Sequence, residues 1–461
     1  MQQRAASARS AGLKLILVGC LAFVLWIPAM LVYTLVWDRS SRADQVTAEI
    51  FQTVGGRQNI NGPIILVPVV IDTGETDKKG AAIKRSTAVA YTPRALEIDA
   101  KVDTETRKRS IFDATIYSAD IQLSGKFDPL QAPKLSLGNV EMNWGQAILV
   151  IGFGNTSDLK GLRDDPALSV NGRRATARFE PVNDLPAALG DNGAYSVHMA
   201  GVGIPMPINP SRNGFSFDLN LKLAGGGSLF FSPVGEETTL VMNADWPAPG
   251  FQGEYLPTNH DITDAGFDAQ WRVPYLGRNL PRSFFIDGNL GGRLSVNSFG
   301  VEFVATKSPY KSVNRALKYA LMFIGVVLLT FFLIEAIIGV RAHPAQYILL
   351  GAAQVIFYLM TLALAEQIGF DKAFLITAAA TVTLSGFYAA SVFGSRLYGF
   401  VAFGAFSSAY GLIYLLMKAE DYALLIGSTT AFAAIALTMY ITRNLDWYGV
   451  AAPAAVNKET S

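Results

Sequence analysis

The chain has 461 residues, 16% of them charged, with a formal net charge of +1 and a single cysteine, Cys20. A balance this close to zero gives no electrostatic footprint for nucleic acid or another polyanion. One cysteine excludes an internal disulfide and any cysteine-built metal centre.

The charge is segregated, lying mostly between Asp38 and Lys318, while the last third is nearly free of it. That separation predicts a membrane part and a water-exposed part. Residues 15–37 form the first apolar run, preceded by Arg4, Arg9 and Lys14. Crossing a hydrocarbon core of ~30 Å takes ~20 residues. The run is too long for the ~7–15-residue core of a cleaved signal peptide. Residues 15–37 therefore read as an uncleaved anchor behind a cytoplasmic N-terminus of residues 1–14. Val46, Ile50 and Val54 then recur every four residues until Gly55-Gly56, which predicts that the helix continues as a stalk to about residue 54.

Over residues 55–308 the period changes to two. Phe215, Phe217, Leu219, Leu221 and Leu223 alternate with polar residues, as do Leu240, Met242, Ala244 and Trp246, and then Phe267, Ala269, Trp271 and Val273. Further strand-like runs lie at 63–71, 87–90, 111–123, 141–151, 175–179, 195–200 and 294–304, with turn clusters such as Gly225-Gly226-Gly227 between them. Strict alternation means one wet and one dry face, so the expected domain is antiparallel, β-rich and sandwich-like.

Ser308-Pro309 reads as N-cap and first helical position of a second stalk helix, residues 309–318, marked by Tyr310, Val313 and Leu317. Five apolar runs follow within 319–442: 319–340, 345–365, 373–393, 397–417 and 422–442. Open backbone is not tolerated in lipid, so they must be helices, giving a bundle of six spans in all. Small residues at Gly386, Ala390 and Gly394, then Gly404 and Ser408, mark faces where backbones can approach closely. Six spans place both termini on one side. The basic residues before the first span assign that side, with the tail 443–461, to the cytoplasm and residues 55–308 to the periplasm.

Few residues offer chemistry. His198, His260 and His343 show none of the recognised zinc spacings. Gly152-Phe153-Gly154 opens like a dinucleotide fingerprint, but Ser157 takes the third glycine's place and no βαβ pattern surrounds it, so it reads as a turn. Ser228, after three glycines, reads as part of a hairpin loop. Asp164-Asp165, Glu236-Glu237 and Asp261 read as solvated loop carboxylates. No catalytic residue, cofactor or metal site is expected. The exception to this bland surface is Glu335, inside the second span, where an unpaired ionisable group costs at least ~2.5 kcal/mol. Pairing with Arg341, Arg396 or Arg443 would relieve that cost, and Gln354 is the other strongly polar residue within a span. Glu366, beside Gln367, reads as interfacial, and Trp447-Tyr448 as an aromatic anchor.

Several strings carry a family likeness: Phe331-Phe332-Leu333-Ile334-Glu335, His343-Pro344-Ala345-Gln346-Tyr347, Ala365-Glu366-Gln367-Ile368-Gly369-Phe370, Met439-Tyr440-Ile441-Thr442-Arg443 and Asp446-Trp447-Tyr448. Gly62-Pro63, Pro233-Val234-Gly235 and Trp246-Pro247 add to it in the β-rich region. With these the chain resembles the CreD family of cell-envelope integrity proteins of the inner membrane. The resemblance implies a periplasm-facing domain and a part in envelope integrity, linked in some bacteria to colicin tolerance and β-lactam response. It carries no established catalytic residues. The expected protein is a non-catalytic, membrane-anchored interaction protein. Its expected partners are the lipid bilayer and envelope proteins or cell-wall components, with homo-oligomers open. A transporter or channel is the alternative, ahead of a membrane-embedded enzyme or a sensor.

Overall fold

The computed structural model describes residues 11–76, 82–133, 140–182, 199–286, 289–303, 309–418 and 422–443. The chain divides into two compact units, Asp44–Thr306 and Met1–Ala43 together with Lys307–Ser461. One helix, α1 (Ala11–Val54), supplies residues to both and is unbroken through Pro28. It stops where Gly55 and Gly56 adopt positive φ values of 122° and 73°, which residues with a Cβ rarely adopt.

Among the described residues, unit Asp44–Thr306 holds two sheets, of ten and eight strands. Strand Gln58–Thr76 organises the first, pairing antiparallel with Ala82–Tyr91, Val140–Met142 and Ile148–Gly152, and parallel with Ser228–Phe231. At the centre of the second is the hairpin of Ala95–Arg109 and Phe112–Phe127, in register from Ala95↔Lys126 to Arg109↔Phe112. Phe215–Gly226 flanks it on one side, antiparallel, and Glu237–Ala244 on the other, in parallel. The predicted antiparallel fold is thus observed with two parallel pairings among the described residues.

Alternation explains the burial. Phe217, Leu219, Leu221 and Leu223 are buried while Asn220 and Lys222 face out, and Phe267, Ala269, Trp271 and Val273 do the same on their strand. Both sheets contribute to a single core. Trp271 of the eight-stranded sheet meets Phe251 and Phe299 of the other at centroid distances of 5.6 and 6.0 Å, and its indole N–H donates to the Tyr255 carbonyl at 3.2 Å.

Some predicted strands differ. Residues 175–179 carry none. The 141–151 run is interrupted by a 3-10 turn at Trp144–Gln146, and 294–304 divides into the end of α2 (Leu290–Ser295) and the strand Phe299–Phe303. Residues 195–198 and Ser308 lie outside the described residues. Gly225-Gly226-Gly227 joins no hairpin. The chain passes there from the eight-stranded to the ten-stranded sheet, and a Cβ on Gly226 or Gly227 would run into the Phe51 ring at the end of α1.

Each predicted stalk helix lays its apolar face on its own unit. Ile50, Phe51 and Val54 of α1 pack with Ala114 and Ile116 of the β unit. Tyr310, Val313, Ala316 and Leu317 of α3 (Pro309–Lys318) are buried, and that helix packs on its bundle neighbours. Burial of an apolar stripe in water decides both arrangements.

The other unit continues with α4 (Ala320–Ile338), α5 (Pro344–Ile368), α6 (Phe370–Phe393), α7 (Arg396–Lys418) and α8 (Ala423–Thr442). Among the described residues, six helices, α1 included, are long and apolar enough to cross a membrane. Of the small residues, Gly386 and Ala390 of α6 do form a close interface, against Phe403 and Gly399 of α7. Gly394 instead caps α6 with φ 63°, and nothing lies within 4 Å of a Cβ built on Gly404. Aromatic rings fill the bundle interior. Tyr410 of α7 lies edge-on to Phe323 of α4 and Phe357 of α5, each at 4.7 Å.

Candidate functional site

Glu335 sits one turn before the left-handed Gly339 that ends α4 and is 6% exposed. Lys14 of α1 donates its ammonium to Oε1, and Tyr347 of α5 donates its hydroxyl to Oε2 at 2.6 Å. Lys14 also donates to the Ala342 carbonyl at 2.9 Å and stands 5.7 Å from the Tyr347 ring centroid. A carboxylate has two oxygens to satisfy and both are engaged, so the charge is compensated where water is excluded. Three separate helices are held at this point by one acidic side chain.

None of the three arginines considered as partners is the one that pairs with Glu335, which Lys14 does. Arg341 is exposed and lines the same cavity, whereas Arg396 borders a different one between α6 and α7. Arg443 lies over the Tyr440 ring at 4.4 Å. Position explains the choice of Lys14: it stands at the head of the first apolar run, so threading α1 beside α4 carries its amine to the depth of Glu335. In the sequence, that lysine served only as an orientation signal. The cavity beside the cluster has a volume of about 780 Å³ and is bordered by Lys14, Cys20, Phe332, Glu335, Arg341 and Tyr347 among others.

A second cluster, again of a glutamate, a tyrosine and a base, closes the other end of α5. Glu366 accepts from the Tyr310 hydroxyl at 3.1 Å, with the Arg39 guanidinium of α1 at 3.9 Å. Burial, reinforced by the negative charge of Glu366, pushes the Tyr310 phenol above its ordinary range. Tyr347 and Glu366 lie about 28 Å apart along α5 at ~1.5 Å per residue, close to the ~30 Å of a hydrocarbon core. Between the two ends some of the buried polar groups pair across helices. Tyr410 donates to Gln354 Oε1 at 2.7 Å, and the Thr361 and Thr377 hydroxyls are 2.8 Å apart.

In the β unit, several of the features considered for chemistry have structural partners. Ser228 is buried as the first residue of its strand, with its carbonyl accepting from the Tyr117 hydroxyl at 2.8 Å. Glu236 pairs with Arg282 at 2.7 Å, Glu237 with Arg272 at 3.2 Å and Asp164 with Lys222 at 3.3 Å. Asp165 and Asp261 are exposed. His260 is exposed on Asn259–Thr263 against Phe251, His343 caps α5, and His198 lies outside the described residues. Among the described residues, no three His, Cys, Asp or Glu side chains are grouped to hold a metal ion.

One acid of the β unit is buried among the described residues. Asp158 is 2% exposed within the 3-10 turn Thr156–Gly161, where it accepts from the Asn155 N–H at 2.7 Å and the Ser157 hydroxyl at 3.2 Å. Its burial raises its pKa, opposed by those two hydrogen bonds. Gln58 joins this turn to the end of α1, donating to the Asp158 carbonyl at 2.9 Å and the Gly55 carbonyl at 2.6 Å. A Cβ on Gly56 would lie 2.8 Å from Asp158 Oδ1, so the helix end fits closely into the turn. The Asn-x-x-Asp spacing from Asn155 to Asp158 was the available signal.

Comparison with known proteins agrees along almost the whole length. A family model described as inner membrane protein CreD matches residues 10–448. The inner membrane protein CreD of Escherichia coli (strain K12) is 30% identical over 432 residues, covering 93% of this chain and 92% of that protein.

Proposed function

The chain belongs to the CreD family of inner membrane proteins, and on that premise we propose that it supports cell-envelope integrity by binding a partner protein of the envelope through its β unit, placed in the periplasm. The observation that carries this reading is a group of exposed apolar side chains on that unit. Leu256, Leu276 and Val296 are 71%, 90% and 70% exposed. They stand on three segments joined by hydrogen bonds, Tyr255 to the Gly277 carbonyl at 2.6 Å and Asn297 to the Arg278 carbonyl at 2.8 Å. Exposed apolar side chains on adjoining segments offer a surface for contact with another molecule. The bundle serves as anchor: its interior is packed with rings, and its most buried acid is already paired with Lys14.

The test is complementation of a strain lacking the gene, scored by survival under envelope stress at matched protein levels. Leu276→Asp with Leu256→Asp is expected to abolish rescue while leaving accumulation unchanged. Rescue by that variant together with loss of rescue by Glu335→Gln would shift the reading to transport through the bundle. The side of the membrane is read separately. In a Cys20→Ser background, His260→Cys is expected to react with an impermeant thiol reagent in intact cells, and protection there would overturn the periplasmic placement.

A further inference from the structure

We propose that the cavity beside Glu335 is a binding site for an anionic phospholipid, with Arg341 holding the headgroup and the walls between α1 and α4 holding an acyl chain. Most of its lining comes from helices long and apolar enough to cross a membrane, with Gly339, Val340, Arg341 and Ala342 supplied by the connection between α4 and α5, so the molecules that reach it from the side are lipids. Leu13, Ile16, Leu17, Phe332 and Val340 give it walls suited to hydrocarbon. Its volume of about 780 Å³ falls within the ~300–1,000 Å³ typical of ligand sites.

Polarity is confined to the Lys14, Glu335, Arg341 and Tyr347 side chains. Glu335 is neutralised there by Lys14 and hydrogen-bonded by Tyr347, so a ligand does not meet a bare carboxylate. Arg341 then leaves the site with a net positive charge. Pro344 and Tyr347, in the first turn of α5, add the positive end of that helix's dipole. An amphiphile with a negative head and an apolar tail matches each part, whereas a zwitterionic lipid gains nothing from the excess charge. A basic residue in such a place contributes about 1 kcal/mol toward an anionic headgroup, which is about fivefold in affinity.

The experiment uses the full chain in a nonionic detergent, with thermal unfolding followed during titration with dioleoylphosphatidylglycerol, dioleoylphosphatidylcholine or inorganic phosphate. Phosphatidylglycerol is expected to raise the midpoint at concentrations about fivefold below those needed of phosphatidylcholine. Arg341→Gln should abolish that preference, Arg341→Lys should keep it, and Lys372→Gln, near the other end of the bundle, should leave it unchanged. Ala336→Leu, which fills the cavity wall, should weaken both lipids. Equal response to the two lipids in the unmodified chain, or a preference that survives Arg341→Gln, overturns the proposal. So does a midpoint shift reproduced by inorganic phosphate, which would make the ligand a free anion.

Discussion

The β unit and the helical bundle come from one chain yet are held together by different physics. In the β unit, water drives apolar faces together, and a single core recruits residues from both sheets. In the bundle, lipid is as apolar as leucine, so that driving force is missing and cohesion falls to close backbone contact and a few polar links. The close Gly386–Phe403 and Ala390–Gly399 contacts and the Lys14–Glu335–Tyr347 cluster supply these. The same kind of substitution should therefore have different consequences in the two regions.

The largest effect belongs to the β core. Phe299 is fully buried against Trp271 and Tyr255, and Phe299→Ala is expected to cost about 3–5 kcal/mol in denaturant unfolding followed by tryptophan fluorescence. A loss under ~1 kcal/mol would mean that the two sheets do not share one core. Next comes Lys14→Met, which leaves Glu335 buried and unpaired at a cost of about 3 kcal/mol, read as a lowered melting midpoint in detergent. Adding Glu335→Gln to Lys14→Met should recover most of that loss, because the uncompensated charge is gone. If the double variant is as unstable as the single one, the cluster is not an ion pair.

Helix packing gives an intermediate effect. A Cβ on Gly399 would lie 2.5 Å from the Ala390 Cβ, so Gly399→Ala is expected to cost about 1–3 kcal/mol. Gly404→Ala meets open space and should be neutral or gain up to ~1 kcal/mol from helix propensity. Reversal of that pair would displace the α6–α7 interface.

A smaller effect carries a pH signature. Because the folded state raises the Asp158 pKa above its unfolded value, the folded state binds the proton more tightly. Asp158's contribution is then most favourable below the unfolded pKa and is lost as pH rises through the folded one. Asp158→Asn should flatten that part of the stability–pH curve between acid and neutral pH. An unchanged curve would exclude Asp158 as its source. The smallest loss is expected for Arg39→Met: this pair is 3.9 Å long with Arg39 half exposed, so the change should be at most ~1 kcal/mol, well below that of Lys14→Met.

Local signals made much of this legible. Residues 15–37 are apolar enough to span, and the helix containing them ends at Val54, where the Val46–Ile50–Val54 stripe meets Gly55-Gly56. Phe215 to Leu223 alternates so regularly that its buried face could be read directly. Ala95–Arg109 was harder to recognise. Leu96, Ile98, Ala100 and Val102 alternate, but the strand runs on through Thr104, Glu105, Thr106, Arg107, Lys108 and Arg109, polar residues that suggest a loop. Only pairing along the whole of Phe112–Phe127 carries it that far.

Sequence by itself determined where the chain meets lipid and where it meets water, since hydropathy and period depend on neighbours a few residues apart. Tertiary structure decided which groups meet across long separations. It chose Lys14 over the arginines for Glu335, passed the chain between sheets at three glycines beneath Phe51, and buried Asp158 in the turn that receives the end of α1. Each choice depends on helices and sheets packing as whole bodies, so that groups hundreds of residues apart become neighbours without a local mark in the sequence.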